Sequence, residues 1–61
     1  MTELFPPTLD DEIACVRREI QYRERVYPRW VAEGKMKPDA ADRQLALMRA
    51  VLGRLNGLKA G

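Results

Sequence analysis

The chain has 61 residues, of which 11 are basic and 9 acidic, and its formal net charge is +2. A chain of this length forms one small domain, near the lower limit at which a single hydrophobic core offsets the entropy lost on folding. With one cysteine, Cys15, and no histidine, it can form neither an intrachain disulfide nor an ordinary zinc site. Oligomerisation is the remaining usual source of burial, so we expect self-association.

The location of the protein is predicted from what the sequence lacks. It contains no apolar run of about 18 residues, the length that a membrane-spanning helix needs. The first residues, MTELFPPT, have neither the basic start nor the apolar stretch of a signal peptide. A free cysteine without an export signal is typical of a reducing compartment, so we expect a cytoplasmic protein that does not contact a membrane.

Residues 1–7 are predicted to form an N-terminal arm, because Pro6 and Pro7 do not fit the interior of a regular helix. Leu4 and Phe5 precede these prolines and are candidates for docking on a neighbouring surface. Thr8, with an acidic Asp11 three residues later, has the pattern of a capping box. This pattern predicts that the first helix begins at about residue 9.

The first helix is predicted over residues 9–33 from apolar residues that recur at alternating steps of four and three. The residues on this face are Leu9, Ile13, Val16, Ile20, Tyr27 and Trp30, with Arg23 as the one interruption. Gly34 provides a C-terminal stop. Pro28 lies inside the pattern, where its ring removes the hydrogen bond to the Glu24 carbonyl at a cost of about 3 kcal/mol. A kinked continuous helix is favoured over a separate short helix beginning at Pro28, with Trp30 packed near Met36 and Ala41.

The second helix is predicted over residues 38–56, with Pro38 in the first helical position and Lys37 as a poor N-cap. Its first stripe of apolar residues has the same alternating spacing of four and three. These residues are Ala41, Leu45, Met48, Leu52 and Leu55. The Asn56-Gly57 pair is predicted to stop the helix and to leave residues 57–61 as a frayed tail. Because the connection is only about four residues long, the helices should be antiparallel. We therefore predict an all-α helical hairpin forming one domain over residues 1–61.

A second line of apolar residues follows each helix beside the first. These residues are Cys15, Tyr22, Val26, Leu47, Val51 and Leu58. If the first stripes close the hairpin, the second line stays exposed to solvent and is typical of an association surface. The favoured interpretation is a homodimer that packs as a four-helix bundle with coiled-coil-like stripes. The alternative is that one wide stripe curls around a loose core.

The sequence contains no recognisable catalytic, cofactor or metal site. Serine and histidine are absent, so Cys15 has no usual base and is interpreted as an inert, buried thiol. The consecutive carboxylates of residues 10–12 point in different directions on a helix and favour its positive end instead. We therefore predict that the protein is not an enzyme.

Basic residues concentrate in the middle of the chain and suggest a second type of partner. Residues that could contact a polyanion or a protein partner are Arg18, Arg25, Arg29, Trp30 and Lys35. Arginines on one side of a helix can follow phosphates, and an exposed tryptophan can stack on a base. Interleaved glutamates favour the alternative of a solvated helix face over nucleic-acid binding.

The segments IACVRREI, RERVYPRWVAEGKM and ADRQLALMRAVL resemble a family of short uncharacterised proteins encoded by tailed bacteriophages and prophages. The resemblance covers about residues 9–55, and the YPRWV segment with the turn after it is its most specific part. It implies a phage or prophage accessory protein that acts inside the bacterial cell. Small phage proteins of this kind often bind a host or phage protein, such as a defence or transcription component, and the resemblance implies no catalytic residues.

Overall fold

The computed structural model describes residues 5–60, which form two α-helices packed against each other, α1 (Leu9–Ala32) and α2 (Pro38–Ala60). Within this range there is no strand, and the predicted helical hairpin is confirmed. Residues 1–4 of the predicted arm, with Leu4 among them, and Gly61 lie outside the described residues. Phe5, the arm's other predicted docking residue, is 79% exposed in this chain.

The start of α1 is fixed by the predicted capping box. The Thr8 hydroxyl accepts a hydrogen bond from the Asp11 amide at 3.1 Å, and the Asp11 carboxylate accepts one from the Thr8 amide at 3.0 Å. Two amide groups at the helix start, which lack intrahelical partners, are satisfied in this way. Acidic side chains at residues 10–12 occupy the first turn, where the helix dipole favours negative charge.

The turn that reverses the chain is a Schellman motif at the end of α1. The Lys35 amide donates to the Trp30 carbonyl at 2.9 Å, and the Gly34 amide donates to the Val31 carbonyl at 3.1 Å. Gly34 has φ +75°, a left-handed conformation that glycine adopts without steric cost. The predicted role of Gly34 as the helix stop is confirmed.

Pro28 lies inside α1, and the helix continues past it to Ala32. The continuous helix predicted from the sequence is therefore confirmed over a separate short helix that begins at Pro28. The helix tolerates the proline because Pro28 is exposed while its neighbour Tyr27 is buried in the core. Packing on one side of α1 offsets the hydrogen bond lost on the other.

The predicted end of α2 at residue 56 is wrong, because the helix extends to Ala60 and includes most of the predicted tail. Glycine ends a helix when the chain turns left-handed, and among the described glycines only Gly34 has a positive φ. In this extra turn, Lys59 forms an ion pair with Asp10 of α1 at 2.8 Å. At the opposite end of α2, the Lys37 carbonyl accepts from the Ala41 amide at 3.0 Å, so this poor N-cap residue still occupies the cap position.

The core is thin and is concentrated near the turn. Val26, Tyr27 and Ala41 form a buried cluster there. Side chains that pack against this cluster are Trp30, Val31, Met36 and Leu45. This arrangement confirms that Trp30 packs at the closed end of the hairpin. Farther along α1 the buried positions are Ile13 and Ile20, and among the described residues no side chain is less than 2% exposed.

Candidate protein-binding surface

One side of the hairpin exposes apolar side chains from both helices, and we call this set the apolar face. Its members are Cys15, Tyr22, Leu47, Val51 and Leu58. Cys15 and Val51 line the same groove, which places the two helices' exposed lines on one side. Tyr22 lies seven residues after Cys15, while Leu47 and Leu58 lie four before and seven after Val51, so each line follows one helix face.

The side chains of the apolar face are substantially open to solvent. Tyr22 and Leu47 are each 45% exposed, Val51 is 44% exposed and Leu58 is 69% exposed. Cys15 is exposed as well, so the interpretation of its thiol as buried is wrong. The cause is its position on α1, which turns the side chain away from the stripe that packs on α2. Its place in the second apolar line is the one that the periodicity predicts.

Val26 was predicted to belong to this exposed line, and that assignment is wrong. Its side chain is only 5% exposed and packs with Tyr27 and Ala41 in the core cluster. The physical reason is the closed end of the hairpin, where Trp30 and Met36 also pack against the cluster. The core there covers a wider arc of α1 than it does farther from the turn, so periodicity alone misplaces Val26.

A groove of about 420 Å³ lies between the helices near the turn, and the sequence did not predict it. Its lining residues are Glu24, Tyr27, Pro28, Val31, Pro38, Ala41, Asp42 and Leu45. Glu24 lies nine residues after Cys15, or two and a half helical turns, so this groove opens opposite the apolar face. Two prolines ten residues apart around a tight turn are the sequence signal that could have indicated it.

The side opposite the apolar face also carries the ion pairs that connect the helices. Glu24 pairs with Arg49, and Asp10 pairs with Lys59 at 2.8 Å. All four side chains are at least 46% exposed, so each pair contributes no more than about 1 kcal/mol. The ion pairs that connect the two helices therefore lie on one side of the hairpin, and the exposed apolar side chains lie on the other side, which also carries the Glu19–Arg23 ion pair within α1.

A second groove, which we call the terminal groove, opens on the apolar face near the chain termini and has a volume of about 510 Å³. Its apolar walls come from Pro7, Cys15, Val16, Val51 and Leu55. The carboxylate-bearing residues Asp11 and Glu12 complete the lining. The groove can accept an apolar or aromatic group, and positive charges next to that group would lie near the carboxylates of Asp11 and Glu12.

The five residues predicted to contact a polyanion or partner are placed in different settings. Arg18, Arg25 and Arg29 are exposed, make no ion pair within residues 5–60, and follow one stripe of α1 beside Tyr22. Trp30 is only partly exposed and contacts the core, with its ring centroid 5.7 Å from that of Tyr27. Lys35 pairs with Glu33 at 3.1 Å. The arginines thus form a common surface that Trp30 and Lys35 do not extend.

The part of the chain that the structure describes contains neither a candidate metal site nor a candidate membrane-spanning helix. No group of three or more potential metal ligands occurs among these residues, and neither helix is long and apolar enough to cross a membrane. Comparisons of the chain with protein-family models, with curated proteins and with solved structures find no match.

Proposed function

We propose that this protein functions by protein–protein binding and that its working form is a homodimer associated through the apolar face. The observation that supports the proposal is the set of exposed apolar side chains on one side of the hairpin, opposite the side that carries the ion pairs between the helices. An amphipathic element of this kind lowers its free energy when a second apolar surface covers the exposed side chains. A two-fold arrangement of two hairpins produces a four-helix bundle.

The large accessible surface of the single chain supports this proposal. The hairpin exposes 5121 Å² for a mass of 7.0 kDa, whereas size scaling gives about 4,000 Å² for a compact monomer. The excess of roughly 1,000 Å² comes from the apolar face together with the exposed residues 5–8 that precede α1. A standard protein interface buries about 800 Å² on each partner. Association would therefore bring the chain close to the burial typical of stable small domains.

The cellular setting is part of the proposal and rests on the sequence resemblance alone. The RERVYPRWVAEGKM segment resembles short phage and prophage proteins, and we place the dimer in the cytoplasm of a bacterial host. Its role there would be that of an accessory protein that binds a host or phage protein, such as a defence or transcription component, without catalysis. In the dimer, the groove beside Pro28 and Pro38 would stay open, because it lies opposite the apolar face.

Substitution of Leu47 by glutamate tests the proposal, with substitution of the neighbouring Ala46 by glutamate as the matched control. Leu47 lies on the apolar face, while Ala46 is exposed one residue away and points to a different side of α2. In sedimentation equilibrium the wild type and Ala46→Glu should be dimers, and Leu47→Glu should dissociate at least tenfold more readily. Equal dissociation of the two variants would contradict a dimer through the apolar face.

Nucleic-acid binding is the second candidate, favoured by the exposed stripe of Arg18, Arg25 and Arg29, which make no ion pair with any residue that the structure describes. Neutralising phosphates with these side chains would release counterions, so the affinity would fall steeply as salt is raised. Fluorescence anisotropy with labelled DNA and RNA, measured at salt concentrations from about 50 to about 200 mM, gives this dependence of affinity on salt. Steeply salt-dependent binding that Arg25→Ala weakens would favour this candidate over protein binding.

A further inference from the structure

We infer that the second copy docks antiparallel to the first, so that Tyr22 of each copy inserts into the terminal groove of the other. The end of one hairpin that contains the turn then lies against the end of its partner that contains the chain termini. This inference rests on the proposed homodimer and specifies its geometry. It differs from the alternative two-fold arrangement, in which the turn ends of both copies lie together.

The positions of Tyr22 and the terminal groove support this arrangement. Tyr22 lies seven residues after Cys15, which corresponds to about 10 Å along the helix. If a two-fold axis crosses α1 midway between them, near residues 18 and 19, Tyr22 of one copy comes level with Cys15 of the other. The same operation makes the reciprocal contact, so one geometry covers two exposed tyrosines and fills two open grooves.

The chemistry of the groove also fits the tyrosine. Its walls are apolar at Cys15, Val51 and Leu55, which suits an aromatic ring. Tyr22 is 45% exposed, so it has a large area left to bury. Aromatic side chains in apolar pockets are frequent anchors of protein interfaces. In the turn-to-turn arrangement, the two terminal grooves would instead face each other, and neither would receive Tyr22 of the partner.

The distribution of charge along the hairpin favours the same orientation. The end of the hairpin near the chain termini carries Asp11 and Glu12 at the groove. The half of α1 near the turn carries exposed Arg25 and Arg29, which make no ion pair among residues 5–60. Antiparallel docking places the arginines of each copy near the carboxylates of the other. Turn-to-turn docking would place the arginines of both copies together, and like charges across an interface oppose association.

Disulfide trapping of Tyr22→Cys, which retains the native Cys15, tests the contact directly. In the inferred dimer, position 22 of one copy is close to Cys15 of the other, so mild oxidation should give a covalent dimer. The wild type should not crosslink, because its two Cys15 residues would be about 10 Å apart along the bundle axis. Gln21→Cys is the matched control, since residue 21 is exposed on another side of α1 and should not crosslink.

Spin-label distances test the orientation without changing Tyr22. In a Cys15→Ala background, labels at Ala32→Cys would be about 40 Å apart along the bundle, and labels at Gln21→Cys within about 10 Å. The turn-to-turn arrangement predicts nearly equal separations for the two sites. Equal separations in a protein that sediments as a dimer would overturn the antiparallel geometry and leave the proposed function standing. A monomer in sedimentation would overturn both.

Discussion

Gly34 is the residue at which the chain reverses direction. The loss of stability on replacing it should come from the backbone conformation alone. Its φ is +75°, and a Cβ added there would meet no atom within 4 Å. Gly34→Ala should therefore reduce the free energy of unfolding by about 1 kcal/mol, the cost of a left-handed conformation for an L-residue. Gly53→Ala should increase it by about 0.5–1 kcal/mol, because Gly53 is helical and also has open space. Urea denaturation at one protein concentration measures both changes, and equal signs would contradict this account.

Trp30 and Tyr22 are two aromatic residues of α1 for which we expect opposite consequences. Trp30 packs against the core cluster, so Trp30→Ala should reduce the free energy of unfolding by about 2–3 kcal/mol, somewhat below the usual cost for a fully buried tryptophan. Tyr22 is exposed on the hairpin, so Tyr22→Ala should weaken association with little loss of helix content. Circular dichroism and sedimentation at matched concentrations separate the two effects. Loss of association in Trp30→Ala, with the helix content of the monomer unchanged, would assign Trp30 to a binding surface instead.

Pro28 and Pro38 occupy helix positions at which replacement by alanine should have opposite effects on stability. Pro28 is inside α1 and exposed, so Pro28→Ala restores an amide donor for the Glu24 carbonyl and should stabilise the protein by about 1–3 kcal/mol. Pro38 is the first residue of α2, where proline is favourable, so Pro38→Ala should be neutral or slightly destabilising. Thermal unfolding followed by circular dichroism distinguishes these outcomes. A lower melting temperature for Pro28→Ala would mean that its ring contributes more to packing than the missing hydrogen bond costs.

The helical elements were largely predictable because their signals are local. The capping box at Thr8, the glycine at position 34 and the four-three periodicity each act within a few residues. The extension of α2 through Gly57 was not predictable, because the contact between Lys59 and Asp10 depends on the packing of two distant segments. The burial of Val26 was missed for the same reason, since the chain beyond the turn supplies part of its surroundings. The groove beside Pro28 likewise exists only when both helices are in place.

At the scale of the whole molecule, the hairpin combines a thin core with a large exposed surface. Five side chains among residues 5–60 are buried, while the apolar face remains open on one side. Stability and association should therefore be coupled, because a ligand that binds only the folded state stabilises it by mass action. For a homodimer that ligand is the protein itself. The melting temperature should rise by several degrees over a hundredfold increase in protein concentration, and an unchanged value would argue against this coupling.

The most direct test of the central claim is the mass of the purified protein in solution. Sedimentation equilibrium over a range of micromolar concentrations should give a mass near twice the 7.0 kDa of the chain. Dissociation on dilution should follow a single monomer–dimer equilibrium, as expected for two equivalent apolar faces that cover each other. A mass of 7.0 kDa at every concentration would contradict the claim that a second copy covers the apolar face.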